Sequence, residues 1–225
     1  MIHFFADRHY GARPGASLYQ RLSPAWRGRM AFHEEEWEAL SRGEWLVGCD
    51  LLVLNMIGGS CGQPHPGGKA SQAVRRWCEG GGNLLLLHGG SAAFSQWDWW
   101  RQAMALRWVR PEDPDGLPPS FHPLHPYRVT LAKSRHPLAA LLQEMSLPQD
   151  EIYAGLAQRP PLEVLLETQV PEGCFPQCAI APTPWGGRQL HFLPGHSPEA
   201  FQVPALVKNV ESCLEYLAGP GNAQG

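Results

Sequence analysis

The sequence has no surplus of positive charge: 18 lysines and arginines stand against 21 aspartates and glutamates, a net charge of −3 at pH 7. That balance argues against a protein that holds nucleic acid or an anionic membrane mainly by counter-charge, and small or locally neutral partners fit better. Also missing is any apolar run near the ~20 residues needed to span a bilayer. The opening Met1–Asp7 turns polar too soon for a secretory signal. A cytoplasmic protein without a membrane partner is the expectation. Cysteine is sparse: Cys49, Cys61, Cys78, Cys174, Cys178 and Cys213 lack the density of a disulfide framework and read as reduced thiols. There is no internal repeat, no low-complexity stretch and no break in composition, so residues 1–225 read as one domain. A chain of this length buries roughly 70–75% of its unfolded surface, enough for a core without staples. What is abundant is glycine (24) and proline (22), which calls for many turns, and tryptophan, with nine copies.

The apolar pattern points to an α/β fold. Ile2–Ala6 reads as a short buried strand, followed by a Glu-rich helix around Phe32–Leu40. Leu51–Met56 is a continuous apolar run, the signature of a strand covered on both faces. Ala70–Glu79 has helical spacing and ends at Gly80-Gly81-Gly82. Leu84–Leu87 follows as a third buried strand that delivers His88-Gly89-Gly90. Strand, helix and strand in this order make a βαβ unit and predict a mostly parallel sheet flanked by helices. Beyond it, Trp97–Leu106 reads as helix, Pro111–Pro119 as loop, and Tyr127–Leu131, Leu162–Leu166, Cys178–Ala181 and Gln189–Leu193 as strands, some antiparallel. Val203–Leu217 closes the chain as an amphipathic helix.

Ligands of open α/β sheets bind outside the carboxyl ends of the strands, and His88 occupies such an end. A histidine that only braces its turn is the competing reading. His122, His125 and His136 each precede a proline, which imposes extended geometry and excludes a helical HExxH zinc motif. Asp150-Glu151-Ile152-Tyr153 sets two carboxylates before a phenol; in an extended segment Glu151 and Tyr153 share one face while Asp150 points away. Gly187-Arg188, a strand, then Gly195-His196 repeats the arrangement seen at His88. Two decoys compete. Gly58-Gly59-Ser60-Cys61-Gly62 matches G-x-S-x-G after a strand, but Pro64 and Pro66 intervene where the nucleophile elbow needs a helix. Cys174 and Cys178 have no second pair at zinc-finger spacing.

Taken in order, these segments resemble the ThuA-like (trehalose-utilisation) family, whose fold is similar to that of class I glutamine amidotransferases. The resemblance runs from about Cys49 to Leu217. It rests on Asp50-Leu51-Leu52-Val53-Leu54, on Gly80 through Leu84-Leu85-Leu86-Leu87-His88-Gly89, on Phe121-His122-Pro123 and Arg135-His136-Pro137, on Asp150–Tyr153, and on Gly187-Arg188 through Gly195-His196. Residues 1–45 match least, and Leu106–Ser120 is richer in proline and acid than the family's link. The resemblance implies a flavodoxin-like, amidotransferase-like architecture and a role in carbohydrate metabolism. It implies no glutaminase activity, because the strand that would carry a Cys nucleophile ends in His88, and an imidazole cannot stand in for a thiolate.

The expected site is therefore a polar cleft for a small carbohydrate. His88, Glu151, Tyr153 and His196 are its catalytic candidates, and His122, His136, Asp150 and Arg188 its substrate-binding candidates. His88, His122, Glu151 and His196 form a candidate set for a divalent metal, zinc for preference. Such a site suits proton transfer on a sugar or keto-sugar, or metal-assisted chemistry. The alternative is a non-catalytic sugar-binding or assembly module, with Trp97, Trp99 and Trp100 as the stacking cluster. A homo-oligomer is left open.

Overall fold

The computed structural model describes residues 1–8, 11–56, 58 and 64–219. In chain order the elements are β1 (Ile2–Ala6), α1 (Pro14–Arg21), α2 (Pro24–Arg27), β2 (Met30–Glu34), α3 (Trp37–Arg42), β3 (Leu51–Asn55), α4 (Gly68–Glu79), β4 (Leu84–Leu87), α5 (Asp98–Ala103) and β5 (Leu106–Arg107). There follow β6 (Leu124–Leu131), β7 (Met145–Glu151), β8 (Ala157–Gln158), β9 (Glu163–Val170), β10 (Gly173–Pro182), β11 (Arg188–Phe192) and α6 (Pro204–Ala218). Nine strands form one sheet in the order β2-β1-β3-β4-β11-β10-β9-β6-β7, and β5 pairs with β8 beside it.

The parallel half, β2 to β11, is built as the apolar runs require. Along β3, Leu51 and Val53 face one core while Leu52 and Leu54 face the other, and along β4 Leu85 and Leu87 oppose Leu84 and Leu86. One face is covered by α6, through Leu206, Val210 and Leu214, and by Leu18 of α1. The other is covered by α4 and the tryptophans. Burying one such leucine contributes about 1.5–3 kcal/mol, which is why β3 and β4 tolerate no polar position before their carboxyl ends.

Two expectations are corrected here. Met30–Glu34 is not the start of a helix but an edge strand pairing in parallel with β1; helix α3 begins only at Trp37. The glutamates favour helix locally, but Phe32 gains a stack on Tyr19 at 4.7 Å and an edge contact to Phe4 at 5.1 Å by staying extended, and tertiary packing overrides propensity. Trp97 and Trp100 are buried against Phe94 in the α4-side core, with Trp99 partly buried over them, so this cluster is packing rather than a sugar-stacking face.

The expected antiparallel strands form the entire second half of the sheet, from β11 to β7. That half curls. Five strand steps separate β4 from β7, about 24 Å in a flat sheet, yet His88 after β4 lies 3.4 Å from Glu151 at the end of β7. Register shifts at Pro176/Cys178, with the extra residue on β10, and opposite His125/Tyr127, with the extra residue on β7 between Leu147 and Asp150, favour such bends, because a bulge adds local twist. Among the described residues no helix is long and apolar enough to cross a membrane.

Candidate functional site

The site begins at the carboxyl end of β4. His88 opens a short 3-10 turn, His88–Ala92, with φ at +41°, a left-handed backbone that a side chain rarely adopts. Strain of this kind costs about 1–3 kcal/mol and persists only where the surroundings enforce it. They do: a Cβ on Gly90 would lie 2.4 Å from the Leu54 carbonyl oxygen, so the turn is pressed against β3 and only glycine fits there. The imidazole is thereby aimed off the end of the sheet, where it is almost wholly buried.

The adjacent strand fixes its tautomer. His88 Nδ1–H donates to the Leu193 carbonyl at 2.8 Å, just past the end of β11, which leaves Nε2 facing Glu151 Oε2 at 3.4 Å. Two lone pairs at that distance repel, so the contact is favourable only with a proton or a metal cation between them.

Glu151 is the last residue of β7. His122 is brought opposite it by the pairing of residues 121–123 with 152–154, in which Phe121 and Ala154 exchange N–H···O bonds and Ile152 N–H donates to Pro123. His122 Nδ1 lies 3.6 Å from Glu151 Oε1, and His196 Nδ1 lies 3.6 Å from Oε2. One carboxylate thus faces three imidazoles. Burial pushes the Glu151 carboxyl up, but the His88 hydrogen bond and the charges of His88, His196 and His122 outweigh it and hold it below the usual glutamate range. Exposure is graded, from 1% at His88 through 15% at Glu151 and 19% at His196 to 49% at His122, so the cluster opens toward His122.

His196 is positioned from behind. Asp150, wholly buried, accepts N–H bonds from Gly195 at 2.9 Å, His196 at 3.0 Å and Ser197 at 2.8 Å. Charge-assisted bonds of this kind are roughly twice as strong as neutral ones. Neighbouring residues of one strand end therefore split the work: Glu151 enters the site and Asp150 fastens the loop that presents His196. Asp150 is thus corrected from a substrate-binding candidate to a positioning residue, since its carboxylate is sealed from any cleft.

Tyr153 is 4.2 Å, ring to ring, from His88 and 4.7 Å from Trp108, which in turn lies 5.6 Å from His122. The half-buried Trp108 was missed in the sequence, where an isolated tryptophan after a two-residue strand gives no periodic signal. His125 points elsewhere, toward Glu172 at 3.4 Å, whereas His122 is the one of the two that faces Glu151. His136 and Arg188 do not join the cluster. Arg188 begins β11, whereas the His88 and His196 loops lie past the opposite ends of β4 and β11, and His136 lines a cleft with Arg188 there. Ser60 and Cys61, the hydrolase decoy, lie outside the described residues.

His88, Glu151 and His196 each offer one ligand atom, and these atoms lie within 4.8 Å of one another. Two ligands on one tetrahedral zinc, each about 2.1 Å from it, are about 3.4 Å apart. The His88–Glu151 and His196–Glu151 separations match that spacing, and two imidazoles with a carboxylate suit a divalent transition metal. The residues fit the group.

The family described as ThuA, trehalose utilisation, matches residues 7–217. The chain belongs to the ThuA family. Among solved structures, a ThuA-like protein from Parabacteroides merdae is similar with a TM-score of 0.75 at 16% identity, covering 97% of this chain and 89% of that one. A ThuA-like protein from Bacteroides uniformis follows, with a TM-score of 0.67, 14% identity and coverage of 96% and 91%. The amidotransferase likeness is also met: a GMP synthase protein from Thermoplasma acidophilum aligns over 96% of this chain and 95% of its own, with a TM-score of 0.54 at 11% identity. At such identities the likeness is one of fold. No protein of curated function matches in sequence. Membership of the ThuA family ties the chain to trehalose utilisation in general terms.

Proposed function

We propose that this ThuA-family chain is an enzyme acting on a small carbohydrate, a glycoside of the trehalose type or its keto derivative, by proton transfer at the His88–Glu151–His196 cluster. One observation carries the reading: a carboxylate held below its usual range within 3.4–3.6 Å of three imidazoles, at the mouth of a sheet's carboxyl edge. Carbon next to a ketone is the position of a sugar whose proton an imidazole or carboxylate can take near neutral pH.

His196, partly exposed and fastened through Asp150, is the proton acceptor best placed to meet a substrate. Glu151 stabilises the imidazolium that forms. His88, locked by Leu193, keeps its Nε2 on Glu151. Trp108, partly exposed and packed on the buried Tyr153, would offer an aromatic face to the apolar face of a sugar ring, and His122, the most exposed of the cluster, would serve as a hydrogen-bonding group. A divalent metal, zinc for preference, would be held by His88, Glu151 and His196, with His122 nearby, and would supply Lewis acidity to a carbonyl or hydroxyl oxygen. No glutaminase activity is proposed, because the end of β4 presents an imidazole where that chemistry needs a thiolate.

The test pairs metal analysis of the purified protein with assays of trehalose and keto-glycosides for both binding and turnover, in the unmodified protein and in His88→Ala and His196→Ala. Turnover lost in both variants supports the reading. Saturable sugar binding without turnover would make the chain a binding module, the alternative favoured by the Trp108–Tyr153 wall. Ligand affinity unchanged in both variants, with no metal bound, would reject the site.

A further inference from the structure

The far end of β11 carries groups that the proposed chemistry leaves unused. A cleft of about 630 Å³ opens there, within the size range of small-molecule sites. Its floor is one face of the sheet: Ile180 and Pro182, two apart on β10, point the same way, and their cross-strand partners are Glu163 on β9 and Arg188 on β11. Pro160, Pro161 and Leu162 add an apolar wall.

The polar groups are few and convergent. Arg188 makes no side-chain ion pair among the described residues, and its guanidinium lies 5.8 Å from the centre of the Tyr216 ring, a cation–π distance. The Leu138 N–H donates to His136 Nδ1 at 3.2 Å, so Nε2 carries the proton and donates it to the Tyr216 oxygen at 3.3 Å. Burial, together with Arg188, holds His136 below its ordinary pKa against the pull of Glu163, which keeps that neutral tautomer in place. With its oxygen accepting from His136, Tyr216 has its own proton left to give. A cation thus stands at one flank, backed by the Tyr216 ring, and apolar surface extends away from it. Glu163 lies at the other flank, two strands and roughly 10 Å across the sheet, where its carboxylate accepts from Ser134 at 2.6 Å.

We infer that this cleft binds a monocarboxylate with an apolar body, its anion at Arg188 and its hydrocarbon on Ile180, Pro182 and Leu162. Glu163 decides the charge: a polyanion filling the cleft would meet it, whereas a single carboxylate at Arg188 stays clear. The site is separate from the imidazole cluster and does not rest on the function proposed for it.

Calorimetric titration of the full chain with 3-phenylpropanoate, its neutral amide and inorganic phosphate tests this. The acid saturates, and the amide binds about tenfold or more weakly, the worth of one charge-assisted contact. Arg188→Gln abolishes the preference for acid over amide, and His88→Ala leaves the affinity for the acid unchanged. The acid–amide comparison needs no variant to fold. Equal affinity for acid and amide, no saturation by the acid, or phosphate binding as tightly as the acid overturns the inference. So does a dimer that Arg188→Gln dissociates while the acid fails to bind, since the cleft would then belong to a second copy of the chain.

Discussion

β11 places a different environment at each end, and a third between them. Past its carboxyl end, His196 joins two other imidazoles around one carboxylate, in a cluster of polar groups that face one another. At its amino end, Arg188 faces an apolar floor with one phenol beside it. Midway, His191 is fully buried, with Ser91 Oγ on Nδ1 at 2.9 Å and Gln189 Oε1 on Nε2 at 3.2 Å, and burial pushes its pKa down to about 3. A histidine's role here is set by which groups its position on the strand gives it, not by the side chain itself.

The sharpest way to break that comparison is to remove the negative charge at the polar end. Glu151→Gln should lower turnover by roughly a hundredfold to ten-thousandfold, the span of acid–base contributions, while 3-phenylpropanoate still binds at the other end with unchanged affinity. Loss of both together would mean that the ends are not independent. The same carboxylate sets an acid limit. Because its folded pKa is depressed, the stability it contributes is complete above the ordinary value of 4.5 and is lost as pH falls through the lower folded value.

Asp150 comes next. Asp150→Asn weakens three charge-assisted bonds and turns an amide N–H₂ toward backbone donors, so urea unfolding should show a loss of about 2–4 kcal/mol. If Asp150 positions His196 rather than merely bracing the fold, kcat falls with little change in KM, and the pH–rate profile shifts. A profile identical to that of the unmodified protein would leave it a structural residue.

The middle of the strand answers differently. The unfolded His191 binds a proton below about pH 6.5 and the folded one does not until about pH 3, so acidification through that window draws the chain toward unfolding. The loss approaches about 1.4 kcal/mol per pH unit at most. Comparing urea midpoints at pH 7 and pH 5, His191→Gln should narrow the difference between the two; an unchanged difference would mean that His191 does not titrate as its burial requires.

The central parallel strands β3 and β4 are readable in the sequence because they are decided locally, unlike the edge strand β2, which tertiary packing decides. Residues 51–54 and Leu84–Leu87 are apolar on both faces, as a central parallel strand requires, and His88 follows at the carboxyl end by simple counting. Glu151, Tyr153, His122 and His196 are gathered into one expected cleft by their chemistry and the family resemblance, but no local pattern shows them meeting, because that depends on how the antiparallel half curls, with bulges in β7 and β10. β7 itself went unread as a strand: Pro148 interrupts it, and the alternation of Met145 and Leu147 loses step at the bulge before the buried Asp150. His136 and Arg188 failed for a plainer reason. Arg188 and His196 are close in sequence, but Arg188 opens a five-residue strand and His196 follows its far end, which carries the two to opposite rims of the sheet.

The smallest effect marks where the polar end stops. His122 and His125 are alike in sequence, each followed by proline, yet His122 sits 3.6 Å from Glu151 and 5.6 Å from Trp108, while His125 lies 3.4 Å from the half-exposed Glu172. An ion pair of the second kind is worth about 0–1 kcal/mol even when the histidine is charged. His122→Ala should therefore raise KM several-fold with a smaller change in kcat, as expected of a residue at the mouth that helps to hold substrate. His125→Ala should leave both constants within error and change the unfolding free energy by less than about 1 kcal/mol. Equal effects of the two substitutions on KM would move the boundary of the site outward to Glu172, because the cleft would then have to reach past β6 to touch both.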